Sequence, residues 1–206
     1  MAATSLAYDE RLDHLLAVAA RVFAQKGYHA TTMRDLARAS GMSLAGMYYY
    51  VRGKNELLYL IQERCFREVI DGAERSIGEA ATPLERVERF IRHHVLFFAR
   101  RMDAMKVLSH EANSLKGKHL ERIKALKRRY VKMLAELLAE LDAECGDRLD
   151  PQLSAYALFG MMNWIYTWYN PRGPVSPRAL AEHFSRLFLY GARGAPVPMP
   201  EEQPYR

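Results

Sequence analysis

The sequence predicts an all-α protein, with a three-helix N-terminal head that contains a helix-turn-helix and a larger helical body behind it. Three observations predict it. Apolar residues recur at helical spacing along most of the 206 residues, and no stretch of useful length alternates as a strand would. Helix-start chemistry recurs in Thr31-Thr32, Ser43, Pro83, Asp150-Pro151 and Ser176-Pro177. Between Thr31 and Leu58 the helices are short and joined by a tight turn, whereas beyond Leu58 they are long.

The first helix carries Leu12, Leu15, Leu16, Ala19, Val22 and Phe23 on one side and closes at Gly27-Tyr28. Thr31 and Thr32 cap the second, in which Met33, Leu36 and Ala37 face inward while Arg34, Asp35 and Arg38 point out. Gly41 supplies the positive φ that ends it in a turn. Ser43 caps a third helix of barely two turns, Leu44 to Tyr50, with Ala37, Met42 and Met47 as the contacts between the pair. Ala45 and Gly46 carry little side chain, which lets a backbone come close to base edges. Tyr48, Tyr49 and Tyr50 are ~100° apart on a helix, so they cannot all be core. An exposed phenol there suits a phosphate oxygen, as do Lys54 and the helix N-terminus that follows it.

A long helix from about Asn55 to Ile77 then bridges head and body, and further helices start near Pro83, Asp103, Gly117, Asp150-Pro151 and Ser176-Pro177. The segment Pro151 to Asn170 reads as one helix, apolar on nearly every face. Such a helix must be covered all round, and a body this small needs a partner subunit to do so. Ala155 and Gly160 allow close approach, and the last helix offers a second apolar stripe, ending near Gly191 or Gly194. Ala155, Phe159, Gly160, Met162, Phe184, Leu187 and Phe188 are therefore assigned to a four-helix interface of a homodimer. The resulting division is 1–54 for the head, 55–194 for the body and 195–206 for a proline-rich, frayed tail.

The head resembles the tetracycline-repressor (TetR) family. The resemblance is carried by Phe23-Ala24, Gly27-Tyr28, Thr31-Thr32, Leu36 to Ser43, and Gly46 to Val51 with Lys54 and Leu57-Leu58. It covers roughly residues 10–60 and is architectural beyond them. It implies a symmetric dimer that reads a palindromic double-stranded DNA operator, and a ligand-binding and dimerisation body whose effector weakens DNA binding. By position it implies DNA contacts from Thr32, Arg34, Ser43, Leu44, Ala45, Gly46, Tyr48, Tyr49, Tyr50 and Lys54. Gly46 stands where the family often has Thr, and Val51 where it favours Phe. The first departure bears on base preference and the second on core packing.

For the effector, the sequence offers His94, Phe97, Phe98, Met102, Leu108, Tyr130, Met133, Met161, Trp164 and Trp168, a set rich in adaptable methionine and aromatics. Arg129 comes from a basic run between Lys116 and Lys132, and Glu111 is the one plausible buried acid. An apolar tunnel beside basic residues fits a long-chain acyl-coenzyme A, and Gly160 to Pro171 is similar to the family subset that controls fatty-acid degradation. Two alternatives stay open: a multidrug-sensing repressor of an efflux system, and a lipid-binding protein without DNA function.

Formal net charge +6 and a pI near 9.3 agree with a polyanionic partner. Cys65 and Cys145 are too few and too scattered for a disulfide framework or a zinc site and read as reduced thiols in the cytoplasm. No catalytic constellation, metal motif or cofactor loop is present, so neither an enzyme nor a cofactor is expected. Asp9, Glu10 and Asp13 argue against a signal peptide, and no apolar run reaches the ~18–20 residues of a membrane span.

Overall fold

The computed structural model describes residues 2–111, 113–145 and 150–193, which form nine α-helices and contain no strand. Gly194 and the tail expected from residue 195 lie outside the described residues. The helices are α1 (Ala2–Lys26), α2 (Met33–Ser40), α3 (Leu44–Tyr50), α4 (Lys54–Gly78), α5 (Pro83–Ala99), α6 (Met102–His110), α7 (Gly117–Cys145), α8 (Pro151–Asn163) and α9 (Pro177–Arg193).

Local chemistry sets most of these boundaries. Thr32 and Asp35 form a reciprocal capping box at the start of α2, satisfying two backbone N–H groups at once. Gly41 ends α2 at φ 68°, a left-handed conformation that costs glycine nothing. The Ser43 hydroxyl accepts the Gly46 N–H at 3.0 Å, and Thr82 does the same for Glu85 at 3.2 Å. Asp150 accepts from both Gln152 and Leu153 at 2.8 Å and, with Pro151, opens α8.

The expected single helix from Pro151 to Asn170 is shorter than the sequence suggested. It ends at Asn163 and tightens into a 3-10 turn over Trp164–Thr167. Helix ends commonly tighten this way, and the Asn170-Pro171 step bars any helical continuation beyond it. Conversely α9 continues through Gly191 to Arg193.

A single cluster of buried side chains runs from Leu15 in α1 to Leu189 in α9, so head and body share one continuous core. Its centre is α5, whose Val87, Phe90, Ile91 and Val95 are fully buried among α4, α7 and α9. Gly72 on α4 leaves room for the His93 ring, whose Nε2 sits 3.0 Å from the Val69 carbonyl.

This packing divides the residues expected at the dimer interface. Ala155, Phe159, Met162 and Phe184 are buried inside the protomer, and Phe188 is half-buried against the same core. The four buried ones fill the space between α8 or α9 and their own neighbours, so they are not available to a partner. Gly160 and Leu187 do lie outward. With them the structure exposes Leu153, Tyr156, Trp164 and Trp168, each more than half accessible. Trp168 also meets Phe184 of α9 edge-on, with ring centroids 6.5 Å apart, so α8 and α9 contribute to one apolar surface.

Candidate functional site

Two sites emerge, the outer face of α3 and a cavity in the body. On α3, Met47 is fully buried and Val51 behind it is nearly so. That anchoring turns Leu44, Ala45, Tyr48 and Tyr49 outward together, with Tyr49 73% exposed, while Gly46 is half-buried. Tyr50 is also half-buried, because Tyr8 of α1 packs on it at 4.8 Å and touches Tyr49 at 5.8 Å. The three tyrosines thus divide into two that face solvent and one that braces the helix.

Arg34 is exposed at the start of α2 and forms no ion pair with a described residue. Thr32 and Ser43 are exposed too, but their hydroxyls are already engaged as caps. The neighbouring Asp35 carboxylate is held by Lys26 at 2.7 Å and by Thr32, and these bonds lower its pKa far below the usual range. Arg11 of α1 lines a groove beside the turn with His14, Ser43 and Gly46, a contribution the sequence reading missed. Only the crossing of α1 over the turn brings it there.

Lys54 does not project towards solvent as expected. Its Nζ donates to the carbonyls of Tyr28 at 2.7 Å and Thr31 at 2.8 Å, with His29 at 3.3 Å, and it sits 4.4 Å above the Tyr28 ring. An ammonium has three donors, and all three point into the turn between α1 and α2. Lys54 fastens α4 to the head and is not a free phosphate ligand.

The body cavity has a volume of about 280 Å³ and lies among α4, α5, α6, α7 and α8. Four expected residues line it: His94, Phe98, Leu108 and Tyr130. Met105 and Lys127, the latter from the basic run, line it as well; the sequence reading missed Phe66, Ser109 and Val131, and also Tyr156, Phe159 and Asn163 of α8. Helical spacing alone gives core and cavity residues the same signature, so it could not separate them.

The remaining expected ligand residues lie elsewhere. Trp164 and Trp168 face outward. Met133 and Met161 pack against the core without reaching the cavity. Phe97 is covered by the Arg101 guanidinium at 4.1 Å, and Met102 lines a separate groove between α1, α4 and α6. Arg129 pairs with Glu74 on the outside of α4. Glu111 is not a buried acid for a cation: its carboxylate accepts the Tyr28 N–H at 3.3 Å and the Ser114 hydroxyl at 2.6 Å.

The cavity is aromatic and nearly uncharged. His94 is 1% exposed, its Nδ1 is 3.2 Å from the Tyr130 hydroxyl, and its Nε2 has no hydrogen-bond partner among the described residues. Burial, reinforced by neighbouring His93, pushes its pKa down to about 3, although Asn163 lies close enough to favour the charged form. The imidazole is therefore neutral at physiological pH. Burial likewise raises the Tyr130 pKa, so the phenol keeps its proton. Leaving one buried polar atom unpaired costs about 1–3 kcal/mol, a cost that a ligand can remove. Lys127 is the cation at this cavity: it is half-buried, makes no ion pair with a described residue and has a pKa lowered by burial. Among the described residues no cluster of His, Cys, Asp or Glu is arranged to hold a metal ion. Cys65 is buried and free, and burial pushes its thiol up to about 12.

A capped helix-turn-helix joined to an all-helical body is the architecture of a DNA-binding regulator. Residues 80–192 match the tetracyclin repressor-like C-terminal domain, and residues 15–59 match the bacterial regulatory proteins of the tetR family. The chain belongs to the TetR family and is a helix-turn-helix transcriptional repressor of that family. Regulators of this family bind operator DNA as dimers.

The chain is similar to the transcriptional repressor KstR2 of Mycolicibacterium smegmatis, with 26% identity over 188 residues, covering 88% of this chain and 90% of that one. The fatty acid metabolism regulator protein of Bacillus subtilis is 24% identical over 157 residues, covering 75% and 81%. Among solved structures, AibR in complex with isovaleryl coenzyme A and operator DNA superimposes with a TM-score of 0.77 at 28% identity. That match covers 86% of this chain and 97% of AibR. The TetR family regulator PfmR from Thermus thermophilus gives 0.78 at 30% identity, covering 85% and 96%. No helix among the described residues is long and apolar enough to cross a membrane.

Proposed function

We propose that this protein is a cytoplasmic homodimeric repressor that leaves its operator when an acyl-coenzyme A occupies the body cavity. The head, residues 1–54, would read DNA, and the body from residue 55 would bind effector and partner. Tyr48, Tyr49, Leu44 and Ala45 form the reading face of α3, with Arg34 and Arg11 directed to phosphates. Caps at Thr32 and Ser43 hold those helices in place and expose hydroxyls beside them. The apolar face of Tyr156, Gly160, Trp164 and Leu187 pairs the bodies and spaces two recognition helices about one DNA turn (~34 Å) apart.

One observation carries the effector reading: an aromatic cavity that contains the His94–Tyr130 pair and is bordered by a lysine with no ion pair to a described residue. Lys127 suits the phosphates of coenzyme A, and the aromatic interior suits the acyl group. Volume favours a short acyl group over the long chain that the sequence suggested. A methylene takes nearly the same space as a water, about 30 Å³, so 280 Å³ holds on the order of nine such units. A short or branched acyl group fits wholly within it, whereas a sixteen-carbon chain would extend through its open side. The isovaleryl coenzyme A bound by AibR is of the size that fits. A multidrug sensor is less well supported, because none of the described residues that line the cavity is an acid to meet a cationic drug.

The test is operator release, followed by fluorescence anisotropy, across a panel of acyl-coenzyme A chain lengths and cationic dyes. Release by short or branched acyl-coenzyme A at micromolar concentration supports the reading. Release by dyes alone, or by none of the panel, removes it.

A further inference from the structure

His94 and Tyr130 together hold a proton arrangement that specifies which ligand chemistry the cavity takes. The two groups meet through Nδ1 and the phenol oxygen at 3.2 Å, and Nε2 has no partner among the described residues. Two arrangements are possible with a neutral ring. If Nδ1 carries the proton, the phenol accepts it, and its own O–H and the bare Nε2 are both left unpaired. If the phenol donates to Nδ1, the ring proton sits on Nε2, and only that single N–H is left unpaired. The second arrangement strands fewer buried polar groups and is the cheaper one. Phe98 lies 4.7 Å from the imidazole and Phe159 5.6 Å, and Asn163 is the polar side chain that borders the ring, without forming a hydrogen bond to Nε2.

Building on the acyl-coenzyme A reading above, we propose that His94 Nε2–H donates a hydrogen bond to the carbonyl oxygen of the bound thioester. A hydrocarbon end alone leaves that N–H stranded. A free carboxylate accepts it but brings a full charge into an aromatic pocket whose one cationic lining residue is Lys127. A neutral carbonyl, with the anionic groups kept at Lys127, satisfies both conditions. His94 therefore distinguishes the activated thioester from the free acid and from any ligand lacking an acceptor, and the cavity senses acylation itself as well as chain shape.

Calorimetric titration of the full-length protein compares isovaleryl-coenzyme A with the thioether in which the carbonyl is replaced by methylene. The wild type should bind the thioester at least about tenfold more tightly, since a site built to hydrogen-bond a substrate rejects the analogue that lacks the group. In His94→Phe, which keeps an aromatic ring, the two ligands should bind equally. Should the variant not fold, the wild type still decides: the Nε2–H resonance of labelled histidine should shift with the thioester and stay in place with the thioether. Equal binding of both ligands by the wild type, or the same preference in His94→Phe, overturns the role of His94 while leaving the effector class standing. Binding of neither ligand overturns both.

Discussion

The carboxylate of Glu111, just past α6, accepts the backbone N–H of Tyr28 at 3.3 Å, in the turn that launches the helix-turn-helix. The Glu111 carbonyl is itself held by the Gln62 side chain of α4 at 3.2 Å. Met105, Leu108 and Ser109 of α6 line the cavity one or two turns earlier. An effector that displaces α6 therefore pulls directly on the head. Glu111→Ala should keep operator affinity within a few-fold in the absence of ligand and shrink ligand-induced release. Family-scale couplings are about 1–3 kcal/mol, or roughly 5–150-fold. Anisotropy titrations with and without acyl-coenzyme A measure this, and an undiminished response in the variant counts against the Glu111 link.

Lys54 and Arg34 should respond oppositely to truncation. Lys54→Ala strips the donor from the Tyr28 and Thr31 carbonyls, lowering stability by on the order of 1–2 kcal/mol. The salt dependence of operator binding should stay nearly unchanged. Arg34→Ala removes an exposed, unpaired guanidinium, so the melting temperature should hold while the log–log salt slope falls by about 0.9 for each phosphate that is no longer neutralised. Thermal melts and binding isotherms at several salt concentrations separate the two, and a reversed pattern would refute both assignments.

The outward face of α8 and α9 predicts a second contrast. Trp164→Ser combined with Leu187→Asp should yield a folded monomer with native helicity, because both side chains are more than half exposed. Phe159→Ser should instead destabilise the protomer by several kcal/mol, about the cost of truncating a buried aromatic (~3–5 kcal/mol). Sedimentation velocity with circular dichroism reads both. A double variant that remains dimeric places the interface elsewhere.

His94 gives the fold a pH dependence of definite sign. Its pKa falls from 6.5 to about 3 on folding, so between those values the unfolded chain binds more protons than the native one. Stability from this group is complete above about 6.5 and is lost as pH drops towards 3, with a slope of at most ~1.4 kcal/mol per pH unit. The His93 pKa, also lowered by burial, acts in the same direction. Denaturant midpoints from pH 7 to pH 4 should fall less steeply in His94→Phe. An identical slope in the variant would mean that other groups carry the acid sensitivity.

Much of the head could be read directly from the sequence. Thr32, Gly41 and Ser43 act through bonds to residues two to four positions away or through their own φ, so type and spacing carry the information. The body was harder to read. A segment apolar on every side, such as 151–170, has no asymmetry to reveal which face meets the protomer and which the partner. Ala155 and Phe159, expected at the partner interface, are buried within the protomer, and Trp164, expected at the ligand site, faces outward. His94, by contrast, lines the cavity, in keeping with its setting among Phe97, Phe98 and the methionines.

The sequence by itself determined the helical class, the order and approximate ends of the helices, and the head that carries α3. Each of these depends on residues close together in the chain. Tertiary structure decided that Lys54 is a fastener, that Glu111 links α6 to the head, and that His94 meets Tyr130 thirty-six residues away. It also set the size of the cavity. Side chains far apart in sequence meet only through the packing of whole helices, and no local pattern encodes the distance between them.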